Sequence, residues 1–160
     1  MENTDFTILQ NLTIKPEWID YNGHMNVAYY VLAFDQSLDI LLDHIELTTE
    51  YRDRTQSTVY VLETHVCYLR EVKEDDPITI KFRIIDCDEK RIHLFLEMFH
   101  TDEGFLAATS EQMILHIDMS GPKASPMPDY VYAKLAALQK NRADEPLPRQ
   151  VGATIGIRKK

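Results

Sequence analysis

The stretch VAYYVLAFDQSLDILLDHI, residues 27–45, decides the fold. Its apolar residues Val27, Tyr30, Val31, Phe34, Leu38, Leu41, Leu42 and Ile45 recur at i, i+3, i+4, i+7, i+11, i+14, i+15 and i+18, the spacing of one wide apolar face on an α-helix. The pattern predicts a helix of about five turns. Asp35, Asp39 and Asp43 fall at intervals of four on the other side, which reads as a solvated stripe rather than a metal site.

Outward from this helix the periodicity changes. Upstream, FTILQNLTI (6–14) predicts a first strand, and Pro16 separates it from the next element. From about Ser57 to Asp118 the chain switches to a period of two. In PITIKFRII (77–85), Ile78, Ile80, Phe82 and Ile84 alternate with Thr79, Lys81 and Arg83, a half-buried strand. RIHLFLEMF (91–99) alternates Ile92, Leu94, Leu96 and Met98 against His93, Phe95, Glu97 and Phe99, so both of its faces are partly covered. VYVLETHVCYL (59–69) and LAATSEQMILHID (106–118) complete a meander, with turns at DCDEK (86–90) and TDEG (101–104).

GPKASPMPD (121–129) is a proline-rich connection that places Asp129 as the N-cap of a short helix through YVYAKLAALQK (130–140). NRADEPLPRQ (141–150) is linker-like, and VGATIGIRKK (151–160) reads as either a packed extended arm or a loose tail.

A long helix apolar over so much of its circumference would be left partly bare by a flat sheet, whereas a concave sheet covers it. The expected class is therefore α+β: a curved antiparallel sheet wrapped around one central helix, the hotdog architecture, with a short C-terminal helix. One domain over residues 1–160 is expected, its core at about 6–119 and the C-terminal helix and tail at 120–160. The two-faced strand at 91–99 also calls for something to cover the convex side, most simply a second copy of the chain, hence a homodimer or homotetramer.

Composition narrows the function. With 44% hydrophobic and 27% charged residues, the 160-residue chain is an ordinary globular protein. A net charge of −9 argues against nucleic acid, which needs a concentrated basic surface. No apolar run approaches the roughly 18 residues that cross a bilayer, and MENTDFTILQ has neither a basic start nor an apolar core. The expectation is a cytoplasmic protein with no membrane partner. Cys67 and Cys87 are expected as free thiols rather than as a bridge.

The usual signatures of catalysis are missing. There is no G-x-S-x-G elbow, no zinc-spaced Cys/His cluster and no phosphate-cradling glycine loop. His65 and Cys67 share a strand face, as a reactive Cys–His pair or, more simply, a buried thiol beside a structural histidine. WIDYNGHMN (18–26) offers more. Asp20 ends a strand-like segment, Gly23 permits a sharp turn, and Asn26 is a natural N-cap for the long helix. Backbone N–H groups at the positive end of that helix would then lie beside a carboxylate. Such a set can hold an oxyanion while the carboxylate attacks a carbonyl carbon or activates water to do so, or it can be a turn and cap with no further role. Glu63 and His65 read as projecting from the same strand face as Val59 and Val61, either as a structural pair or as part of a site. Trp18, Tyr21, Tyr29, Tyr60 and Tyr68 are candidate aromatic walls or simply core.

These residues resemble a known family. The pattern Asp-x-Asn-Gly-His-(hydrophobic)-Asn of the hotdog-fold acyl-CoA thioesterases, the 4-hydroxybenzoyl-CoA thioesterase-like superfamily, is matched by Asp20, Asn22, Gly23, His24, Met25 and Asn26. More narrowly, WIDYNGHMN, VLETHVCYLREV, DEKRIHLF and LAATSEQMILHID resemble the thioesterase domain often fused to L-carnitine dehydrogenases, although no dehydrogenase domain accompanies them here. The resemblance implies coenzyme A thioester held at a subunit interface, with no metal and no bound cofactor. It implies that Asp20 is nucleophile or general base and that helix N-terminal N–H groups polarise the carbonyl. The narrower likeness implies betainyl-CoA as substrate, released as glycine betaine and coenzyme A in carnitine breakdown. A trimethylammonium head is held by aromatic faces and carboxylates, for which Trp18, Tyr21, Tyr60, Tyr68 and Glu63 are candidates, with His65 beside them. Lys90 and Arg91, or Arg158, Lys159 and Lys160, are candidates for the coenzyme A phosphates or are solvated surface charges. Alternatives are a hydratase or dehydratase using His24 or His65 with Glu63, and a non-catalytic module that binds acyl-CoA or oligomerises.

Overall fold

The computed structural model describes residues 6–160. Five long antiparallel strands form one sheet in the order β1 (Ile8–Thr13), β3 (Pro77–Cys87), β4 (Arg91–His100), β5 (Leu106–Asp118), β2 (Ser57–Tyr68). A two-residue strand, β6 (Lys123–Ala124), pairs with the end of β5. Helix α1 (Val27–His44) lies in the concavity and buries Tyr30, Ala33, Phe34, Ser37, Leu38 and Leu41. Against it stand Ile78, Ile80, Phe82 and Ile84 of β3, Ile92, Leu94, Leu96 and Met98 of β4, and Ala108 and Ile114 of β5. The curved sheet and its helix are those expected from the switch between periods of 3.6 and two.

The buried face of α1 differs from the expected stripe. Val27 and Val31 stay 58% and 45% exposed, whereas Ala33 and Ser37 are fully buried. A hydrogen bond makes room for Ser37: its hydroxyl donates to the Ala33 carbonyl at 2.8 Å and accepts from the Gln10 amide at 2.7 Å. Asp35, Asp39 and Asp43 are exposed, as the solvated stripe requires.

Two further elements depart from expectation. Helix α2 (Thr49–Thr55), capped by the Thr48 hydroxyl on the Tyr51 N–H, lies in a stretch whose only buried residue is Tyr51. Helix α3 (Asp129–Lys140) takes Pro128, not Asp129, as its N-cap. Pro128 sits at φ −55° and ψ 146° and accepts the first helical bonds through its carbonyl, so Asp129 becomes the first helical residue and acts by its charge alone.

The convex side is partly covered by the chain itself. The segment after α3 crosses the outer face, where Arg142 meets Glu97 at 2.6 Å and the Arg83 guanidinium donates to the carbonyls of Glu145 and Pro146. Phe95, on the outer face of β4, is fully buried. Cys67 and Cys87 are free. Among the described residues no helix is long and apolar enough to cross a membrane.

Candidate active site

The polar stretch ahead of α1 folds back on itself. The Asp20 N–H donates to the His24 carbonyl and the Gly23 N–H to the Asp20 carbonyl, a tight turn that Gly23 completes at φ +79°. The Asn22 N–H donates to Asp20 Oδ1 at 2.8 Å, which fixes the carboxylate. Met25 and Asn26 anchor the turn from below, their N–H groups donating to the carbonyls of Val72 and Trp18. The Asn26 side chain then caps α1 by accepting from the Ala28 N–H at 2.9 Å. Among the described residues the Val27 N–H finds no acceptor, so one donor at the positive end of α1 is left over.

Asp20, His24, Val27, Tyr30, Tyr68 and Glu71 line a cavity of about 390 Å³ at this end of the helix. The Tyr30 and Tyr68 rings meet nearly perpendicular, 5.2 Å apart, and the Tyr68 hydroxyl donates to the Val27 carbonyl at 3.3 Å. Burial pushes the Tyr30 phenol above its ordinary value, with Glu71, Tyr68 and Asp20 adding to the rise against a hydrogen bond from Val72. His24 Nε2 lies 3.1 Å from Glu71 Oε2. A fixed carboxylate and an unused helical N–H from two residues that line one cleft with aromatic walls are groups suited to acyl transfer.

The other expected site residues lie elsewhere. The Trp18 ring is buried and stacks on Tyr29 with centroids 5.8 Å apart, so it packs rather than lining the cavity. Tyr21 projects into solvent, 97% exposed. Glu63 and His65 do not share a face with Val59 and Val61. A β-bulge at Leu62 puts Val61 opposite Ile114 but Glu63 opposite Met113, so the strand changes face between them. Glu63 and His65 therefore line a separate outer-face cavity of about 540 Å³ with His93, Glu111 and the tail around Gly152. His65 Nε2 is 3.8 Å from Cys67 Sγ there, away from Asp20.

Tyr60 stands at the opposite end of β2 from Tyr68, eight residues or about 26 Å away. Arg91 is bound to Asp88, whose carboxyl is lowered to about 2 by that side chain first and by the Lys90 and Arg91 N–H groups. Lys90 lies 3.6 Å from Glu89. Neither cation reaches the Asp20 cavity, and Arg158, Lys159 and Lys160 are exposed in the tail. Glu71 was missed from sequence, because it lies past the end of β2 and meets His24 only through the fold.

A family model described as the thioesterase-like superfamily matches residues 14–135. The chain belongs to that superfamily. It is 36% identical over 144 residues to the betainyl-CoA thioesterase of Pseudomonas aeruginosa, covering 90% of this chain and 91% of the relative. It is also 34% identical over 148 residues to the L-carnitine dehydrogenase/betainyl-CoA thioesterase of Rhizobium meliloti, where the match covers 92% of this chain but 30% of the relative. A Staphylococcus aureus protein solved in complex with CoA superimposes with a TM-score of 0.90 at 30% identity, over 94% of this chain and 96% of the other. The thioesterase-like chain is an acyl-CoA thioester hydrolase of the hotdog fold.

Proposed function

We propose that this thioesterase hydrolyses betainyl-CoA to glycine betaine and free coenzyme A, with Asp20 as the acting carboxylate. The observation that carries the chemistry is the Asp20 carboxylate, held through Oδ1 by the Asn22 N–H in the cavity that Val27 also lines. The other carboxylate oxygen attacks the thioester carbonyl carbon or takes a proton from a water that does. The Val27 N–H stabilises the oxyanion that forms. Collapse breaks the carbon–sulfur bond, the coenzyme A thiolate leaves and is protonated, and one water is consumed by either route. The scheme draws on Asp20, backbone N–H groups and water, with no resident cofactor or metal. The acyl group is assigned by likeness to the Pseudomonas aeruginosa enzyme, whose length this chain nearly spans.

The working unit in this reading is a homodimer or a dimer of dimers. Among the described residues the outer edge of β2 has no partner strand in the sheet, and Tyr60, Val61 and Leu62 are exposed along it. Val27, Val31 and Leu32 are exposed on α1 as well. A long bare edge with apolar residues invites pairing with another copy. Antiparallel pairing of two such edges centred near Thr64 would set the Tyr60 end of one copy beside the Tyr68 end of the other.

A thiol-release panel tests the assignment. Betainyl-CoA is expected to outrun uncharged short acyl-CoAs and an aryl-CoA in kcat/KM. A clear preference for an uncharged chain refutes the acyl group, and water addition to an enoyl-CoA without thiol release would restore the hydratase alternative.

A further inference from the structure

The cavity beside Asp20 contains a second carboxylate that the motif does not announce. Glu71 sits three residues beyond the last residue of β2, against the His24 end of the Asp20 turn, with Oε2 at 3.1 Å from His24 Nε2. The Tyr30 and Tyr68 rings form another wall. Arg70, the one Lys or Arg lining the cavity among the described residues, is drawn away from it. Its guanidinium lies 3.8 Å above the Phe105 ring and 3.5 Å from Glu103. Two carboxylates and two aromatic rings therefore share a small space whose arginine is engaged elsewhere.

We propose that Glu71 is the specificity determinant of this site, the carboxylate that selects a positively charged acyl head while Asp20 acts on the carbonyl. The proposal rests on the thioesterase reading of Asp20 and gives it a recognition element. In a betaine thioester a single methylene separates the quaternary nitrogen from the carbonyl carbon, a distance of about 2.5 Å at ordinary bond lengths. A carbonyl placed about 3 Å from Asp20 for reaction therefore carries the ammonium into the same cavity. That head has no N–H to donate, so it is recognised by aromatic faces and by negative charge at short range. Asp20 is committed to the carbonyl, and Glu71 is the carboxylate left for the ammonium. The Glu71 side chain stands at the solvent-facing rim of the cavity, 68% exposed, and the His24 contact directs its carboxylate toward the cavity.

The test uses a pair of substrates of one shape. In 3,3-dimethylbutyryl-CoA a carbon replaces the quaternary nitrogen of betainyl-CoA, so the two differ in charge and hardly in volume. The ratio of their kcat/KM values is measured for the full chain and for Glu71→Gln, which can still hydrogen-bond His24. The expected result is a wild-type preference for betainyl-CoA that falls about tenfold in Glu71→Gln, the scale of losing one partly solvated charge contact. A preference that survives the substitution overturns the role of Glu71. So does an equal loss on both substrates, because a residue acting only by positioning His24 would slow both alike. A wild-type enzyme with no preference for the cation refutes the betainyl assignment itself, and the inference falls with it.

Discussion

At the N-terminus of α1, His24 lies 3.1 Å from Glu71, and on the outer face of the sheet His93 lies 2.7 Å from Glu111. Both pairs line concavities, and the outer one is larger, about 540 Å³ against 390 Å³. Volume and a histidine–carboxylate contact therefore fail to separate them. They differ in what is left over once local hydrogen bonds are made. Glu111 meets His93 through Oε2 and takes the Gly152 N–H on both oxygens, so both oxygens are engaged within the protein. Beside α1, Asp20 commits Oδ1 to the Asn22 N–H, and the Val27 N–H stays open. Acyl transfer needs a free carboxylate oxygen together with an open oxyanion donor, and the second site brings both to one cavity.

Substituting the two acids separates the sites. Asp20→Asn keeps the shape and an acceptor for the Asn22 N–H but removes the base or nucleophile. Thiol release should fall by roughly 10²-fold or more, with the melting temperature nearly unchanged. The comparison breaks if Asp20→Asn stays active. Glu111→Gln should act in the opposite sense. Thiol release should stay within about threefold of wild type, while unfolding in urea shows a loss of about 1 kcal/mol from the weakened His93 and Gly152 contacts. A collapse of turnover in Glu111→Gln would move the chemistry to the outer face.

The two sites were also unequally legible in the sequence, for a physical reason. The Asp20 site is local: a glycine turn, an acid two residues before the N–H it accepts from, and an asparagine cap all act within seven residues of chain. Helix α1 and the long strands were legible because periodicity records burial on one face. The outer face was not, because it is built by contacts distant in sequence. Arg142 lies in a stretch that reads as a linker, yet it meets Glu97, 45 residues away. The bulge at Leu62 carries no glycine or proline to mark it, so simple alternation put Glu63 and His65 on the wrong face. Helix α2 escaped notice because TEYRDRT buries one side chain, too few to set a period. Glu71 belongs to the same class: a loop residue brought to the motif by the fold.

A third histidine sharpens the contrast by lacking an acid partner at hydrogen-bond distance. His116 is buried on β5, its Nδ1 2.8 Å from the Ser125 carbonyl and its Nε2 2.9 Å from the Tyr51 hydroxyl. The carbonyl can only accept, so Nδ1 carries the proton and Nε2 accepts from Tyr51. Burial lowers its pKa below the ordinary 6.5, outweighing the Ser125 hydrogen bond and the field of Asp118, which both raise it. With the folded-state value below the unfolded one, the unfolded chain binds the proton first, so this group removes stability as pH falls from about 6.5 toward the folded pKa. His116→Gln keeps an acceptor near Tyr51 and cannot titrate. It should be less stable than wild type at pH 7, and its urea-unfolding free energy should fall less steeply between pH 7 and pH 5. Over that interval the two curves should converge, because only the wild type loses stability through this group as the pH falls. Parallel curves would mean that His116 takes up its proton equally well in the folded and unfolded chain, and that burial without a contacting acid costs this histidine nothing.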